Sequence, residues 1–185
     1  MIHDSTGAVF PLYIWVITTV LAVALIFFVF AQAAVVRSAG QSAADAAALA
    51  AAQEARDRLL EGGGDWGDIL AGDGFAVGSA CAEAGRLAAR NDASVVSCEA
   101  DRARVGYTVV VATGRTVGES LIPGTENQTA EARATAVIRG LCDVATDEDD
   151  LVELRCEEDQ RWSFDPEDEE TWPDARDLFR VYLDE

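Results

Sequence analysis

Residues 8–36 read AVFPLYIWVITTVLAVALIFFVFAQAAVV, and no charged side chain occurs between Ser5 and Val36. Roughly twenty apolar residues let a helix cross the hydrocarbon core of a bilayer, which is about 30 Å thick. The apolar core of a secretory signal peptide is shorter, about 7–15 residues, and follows a positively charged start. Here the start holds His3 and Asp4 and no Arg. The reading favoured over a cleaved signal is a retained transmembrane helix beginning around residues 9–12. Pro11 then falls in the first turn, where its missing N–H costs nothing, and Tyr13 and Trp15 suit the near interface.

The helical pattern continues beyond the apolar run. Residues 39–60 read AGQSAADAAALAAAQEARDRLL, strong helix formers without proline, and end at Glu61 and three glycines. One helix from Phe10 to Leu60 would be about 75 Å long, with half of it outside the bilayer. Ala39, Ala43, Ala47 and Ala51 recur at every fourth position, and Ala46 and Ala50 widen them into a strip of small side chains. Small side chains let helix backbones approach closely, which fits lateral packing with other membrane helices, including those of further copies of this chain. A stalk whose alanines pack on the chain's own head explains the strip equally well, since alanine buries too little area to drive association strongly.

Composition narrows the function. The 185 residues allow one domain of ordinary size beside an anchor. All 14 basic residues are Arg, and 33 carboxylates leave a net charge of −19. Such a balance argues against nucleic acid, which needs a basic face to release counterions. The single histidine, His3, lies across the apolar run from the main body, so no Ser-His-Asp triad, Cys-His pair or histidine-ligated zinc site can form there. Four cysteines, Cys81, Cys98, Cys142 and Cys156, lie downstream at spacings of 17, 44 and 14 without a CxxC pair. Disulfides in an oxidising compartment explain them better than zinc, and short local loops favour Cys81–Cys98 with Cys142–Cys156. That places the body outside the cytoplasm, against the weak opposite vote of Arg37, the one basic residue close to the span.

Residues 65–78, rich in Gly and Asp, read as a loop or short helical turn, without the strand, helix and Lys of a phosphate-binding loop. Residues 79–91, SACAEAGRLAARN, place Cys81, Ala84, Leu87 and Ala88 at helical spacing and end at Asn91. Strand patterns follow at 93–99, at 104–113, with Val105, Tyr107, Val109 and Val111 on one face, and at 129–139, where Ala130, Ala132, Ala134, Ala136 and Ile138 alternate with polar residues. An alanine-faced sheet lets a helix lie close against it, so residues 79–140 read as one helix on three antiparallel strands.

From Leu141 onward there are 18 carboxylates and 4 arginines, a net −14 of the total −19. Eight large apolar residues, from Trp162 to Leu183, and two cysteines argue against simple disorder. LVELRCEE and DLFRVYLDE read as strands, with loose acidic loops at 146–150 and 165–170. The acidic string 143–150 lacks the glycine and terminal Glu that shape a calcium loop. No pair of carboxylates is nominated for glycoside hydrolysis, and Asn127 with Thr129 makes only a formal glycosylation acceptor. No cofactor is implied.

The run from Gly7 through Gln53, with AADAAALAAA at residues 43–52, resembles the start of TadE/TadG-like proteins of tight-adherence (Tad, or Flp) pilus systems. The head is similar too: an alanine-rich helix ending in Arg90-Asn91, a Val-Val-x-Cys strand at 95–98 and alternation through 132–138. The closest likeness is to the TadG-related pilus assembly proteins of actinobacteria. It covers about residues 7–142 and is strongest in the first fifty. The resemblance implies a membrane-tethered, non-catalytic minor pseudopilin or assembly factor whose N-terminal helix meets other pilus proteins, filament-associated if it is a subunit.

Two departures bear on that carry-over. Prepilin processing would make Gly7 the residue before the cut and Ala8 the new N-terminus, yet the fifth position after Gly7 is Leu12 rather than Glu, and no basic residue precedes it. The large von Willebrand-type domain of some TadG proteins has no room here. The expected architecture is α+β: a leader (1–7), a transmembrane helix (8–36), a helical stalk (37–61), a linker (62–78), an α+β head (79–140) and an acidic, disulfide-tied segment (141–185). The expected location is the cell membrane, single-pass, with the body outside. A membrane-tethered extracytoplasmic binding or sensor domain unrelated to pili is the alternative.

Overall fold

The computed structural model describes residues 9–62, 64–114, 131–148 and 150–184. Its first element, α1 (Val9–Leu59), is one uninterrupted helix of 51 residues. Alanine and leucine dominate its second half, which has no proline, and Arg56 and Arg58 in the last turn complement the negative end of the helix dipole. A single 3-10 turn, Leu60–Gly62, ends it.

Among the described residues, three short or medium helices and seven strands follow. Helix α2 (Trp66–Ala71) starts at Asp65, whose carboxylate accepts from the N–H groups of Gly67 and Asp68, and stops at Gly72 in the left-handed conformation. Helix α3 (Gly78–Arg90) buries Ala80, Ala84 and Ala88 along one face. Strands β1 (Ala93–Asp101), β2 (Gly106–Thr113) and β3 (Glu131–Gly140) form an antiparallel meander in which Val109 pairs with Cys98 on one side and Ala134 on the other. The fourth strand of this sheet is β7 (Phe179–Asp184), from the end of the chain, so the order is β1-β2-β3-β7. Strands β4 (Cys142–Glu148), β5 (Leu151–Cys156) and β6 (Arg161–Phe164) make a second antiparallel sheet, and a one-turn helix α4 (Ala175–Leu178) leads into β7.

Period-2 burial in the larger sheet explains where the core sits. Tyr107, Val109, Val111, Ala134, Ala136 and Ile138 are buried on the face that α1 covers, while α3 packs on α1 and β1. Small side chains keep the layers close. At Gly40 an added Cβ would stand 2.9 Å from Thr113 Cγ2. At Gly106 it would strike the Ala136 carbonyl oxygen and lie 2.9 Å from Val137 Cα, so this strand crossing requires glycine.

Several expectations are revised by these contacts. Segment 37–61 is no bare stalk: from Gly40 onward α1 runs through the head as its central helix, with Ala43, Ala44, Ala47, Ala48, Ala51, Ala52 and Ala55 wholly buried. The head has four strands rather than three, and the boundary at 140/141 divides residues that share one sheet, because β3 and β7 pair from Thr135–Asp184 to Gly140–Phe179. Val105 is not in β2. It occupies the turn before it with φ of 51°, where its carbonyl accepts the Ile138 N–H at 2.8 Å. Neither acidic loop is loose throughout: residues 146–148 continue β4, and at 165–172 Asp165 accepts from Glu167 N–H while its carbonyl accepts from Trp172 Nε1–H. The start of the expected strand at 129–130, the Pro123-Gly124 turn and Asn127 lie outside the described residues.

Candidate functional site

Within α1, Pro11–Ala31 is long and apolar enough to cross a membrane, with a mean hydropathy of 2.7 and none of the segment buried. Trp15, Phe27 and Phe30 are each about 70% exposed, an arrangement that water disfavours strongly. Its two threonine hydroxyls are satisfied inside the helix: Thr18 Oγ1 donates to Ile14 O at 2.8 Å and Thr19 Oγ1 to Trp15 O at 2.9 Å. A spanning helix must satisfy its polar groups internally in the hydrocarbon, as these two threonines do. Length and composition alone leave a signal sequence as a second reading of the same segment. Gly7 and Ala8, the expected processing residues, and His3 lie outside the described residues.

The four alanines proposed for helix packing separate by environment. Ala43, Ala47 and Ala51 have no exposed surface and sit against α3 and the sheet, while Ala39, one turn earlier, is exposed. The strip therefore changes from outward-facing to interior between residues 39 and 43, where the head begins. Alanine serves both environments, so spacing alone could not separate them.

Both cysteine pairs are joined. Cys81–Cys98 links α3 to β1 with Cα atoms 5.8 Å apart, and Cys142–Cys156 joins the ends of β4 and β5. Tyr107 makes a third tie. Its hydroxyl accepts from Val77 N–H at 3.0 Å and lies 3.3 Å from Phe75 O and 3.2 Å from Val77 O, holding the α2–α3 connection on the sheet. Burial raises the Tyr107 phenol above its ordinary value, and the Val77 hydrogen bond opposes that shift. At the β1–β2 turn, the hydrogen bond from Arg104 lowers the Asp101 carboxyl, and Arg104 also pairs with Asp184 at the end of β7.

Two recesses were not foreseen. A cavity of about 310 Å³ lies at the root of the head, between Val35, Ala39 and Ser42 of α1 and the end of α3 at Arg90 and Asn91. Another, of about 590 Å³, lies near the opposite end of the head, with Asp65, Trp66, Asp147, Glu148 and Trp172 in its wall. There Trp66 packs edge-on against Phe164 and Trp172, with ring centroids 4.6 and 5.1 Å away. Each recess is built by elements distant in sequence, which local pattern does not bring together. Among the described residues no three or more His, Cys, Asp or Glu side chains are grouped as metal ligands. No family model, curated protein or solved structure matches this chain.

Proposed function

We propose that this protein is a membrane-anchored extracytoplasmic structural component of a Tad/Flp-type pilus, either a minor pseudopilin or an assembly and anchoring factor, with no catalytic role. The observation that carries the membrane part is the division of one continuous helix: Pro11–Ala31 is apolar and uncovered, while the half from Gly40 to Leu59 is the centre of the head. A rigid helix shared by both parts would transmit the position of the span directly to the head. The pilus part rests on the resemblance of residues 7–53 to TadE/TadG-like proteins. Two disulfides support a body on the oxidising side of the membrane.

The test is to shear surface filaments from the source cells, separate them from membranes and detect the chain with its intact mass in each fraction. Filament-bound chain beginning at Ala8 supports a processed pseudopilin. Full-length chain in membranes that co-purifies with pilus proteins supports an anchor or assembly factor, and absence of pilus proteins from both fractions rejects the proposal. The second reading, a tethered binding domain, gains weight from the burial of Ala43, Ala47 and Ala51 inside the head, which removes them from contact with the helices of other proteins.

A further inference from the structure

The larger recess, of about 590 Å³, lies at the end of the head away from the apolar half of α1 and has the size of a small-molecule site. Three segments distant in sequence build it. Asp65 and Trp66 stand at the start of α2, Asp147 and Glu148 at the end of β4, and Pro166 and Trp172 in the connection between β6 and α4. Trp66 is 3% exposed and held edge-on by Phe164 and Trp172, yet its indole Nε1–H donates to no group among the described residues. Trp162 Nε1 also lacks a partner but is wholly enclosed, whereas Trp66 Nε1 keeps contact with the recess in whose wall it stands. An N–H held in a largely buried ring without an acceptor costs free energy, so a ligand atom that accepts there gains affinity.

Acceptors and apolar surface complete the walls. Asp65 uses Oδ1 for the Gly67 and Asp68 N–H groups and leaves Oδ2 unengaged. Exposed Asp147 and Glu148 make no hydrogen bond or ion pair with their side chains among the described residues. Half-buried Trp172 is fixed by its Nε1–H, which donates to the Asp165 carbonyl at 3.2 Å, and with Pro166 it supplies the apolar part.

These groups select among ligand classes. A cation suits the carboxylates but has no lone pair for the Trp66 N–H. An anion accepts from Trp66 but is repelled by three carboxylates. A hydroxyl meets both demands, since it accepts through its lone pairs while its O–H donates to a carboxylate. Saccharides present hydroxyls beside an apolar C–H face, which Trp172 and Pro166 would cover. We infer that this recess binds a neutral saccharide, one hydroxyl of which bridges the Trp66 N–H and the carboxylate rim. Binding there requires only the folded head and does not depend on where α1 lies.

The experiment presents the full chain to an array of neutral and sialylated glycans, in a phosphocholine detergent because maltosides would compete. The best neutral binder is then titrated in solution by isothermal calorimetry. Neutral glycans are expected to be retained and their sialylated counterparts to bind about tenfold more weakly. Trp66→Phe, which keeps a ring and removes the N–H, should bind about fivefold more weakly. The double variant Asp147→Asn/Glu148→Gln, confined to the exposed rim, should lose about tenfold while its head melts as the wild type does. Where Trp66→Phe lowers the melting temperature, the rim variant decides alone. Retention of no neutral glycan, equal retention of sialylated glycans, or unchanged affinity in the rim variant each overturns the inference. Binding of arginine amide in place of any glycan assigns the recess to a cation and overturns it as well.

Discussion

Replacing Ala47 by Leu separates the two roles that a strip of small residues can serve. Ala47 has no exposed surface and lies within a run of alanines enclosed by α3 and the larger sheet. Leucine adds three carbons to a close-packed interior, and overpacking of that kind costs about 1–3 kcal/mol. For a domain of this size, 1 kcal/mol moves the melting temperature by about 2–4 °C, so Ala47→Leu should melt about 2–12 °C below the wild-type chain. Ala39→Leu, at an exposed position on the same helix face, should melt within about 2 °C of wild type. The assay is thermal unfolding of the full chain in detergent, followed by near-ultraviolet circular dichroism from the head tryptophans. If Ala47→Leu melts with the wild type while Ala39→Leu does not, the alanine strip acts outside the head and the packing described for α1 is wrong.

Other substitutions probe the remaining ties. Cys98→Ser removes the link between α3 and β1 across 17 residues and should cost about 3 kcal/mol in urea unfolding, with Cys81 becoming reactive to a thiol reagent once the chain is unfolded without reductant. Tyr107→Phe leaves the Val77 N–H without its acceptor and should cost about 1–3 kcal/mol by the same measurement. Because the folded state raises the Tyr107 pKa, the wild type should hold its stability below about pH 10 and lose part of it as pH rises through the folded value; Tyr107→Phe should flatten that loss. Gly106→Ala drives a methyl into the β3 backbone and should leave little folded head, read as loss of the near-ultraviolet signal.

Much of this architecture is written locally in the sequence. The α1 run, the alanines of α3 and the alternation of Tyr107, Val109 and Val111 each follow from period and composition, and the two short cysteine spacings match the two bridges. The tail was harder to read. In β5, Val152, Leu154 and Cys156 alternate cleanly with exposed Glu153 and Arg155, but β4 keeps only Cys142 and Val144 among acidic residues and β6 has four residues. That β7 completes the larger sheet depends on pairing with β3 about forty residues away, which local pattern does not encode. The fate of the alanine strip was ambiguous for a physical reason, since a small residue permits close approach to any surface. The root cavity was invisible because α1, α3 and β2 each contribute only a few of its residues.

The central claim, that α1 crosses the membrane and holds a disulfide-tied head outside it, is tested most directly by protease digestion of intact spheroplasts. Alkaline-washed membranes and intact masses are then compared before and after digestion. The account gives a chain that retains residues 11–31 and stays in washed membranes, with two disulfides, and a head cut from outside without lysis. A soluble chain that begins beyond Ala31, or a head cut only after lysis, would contradict it.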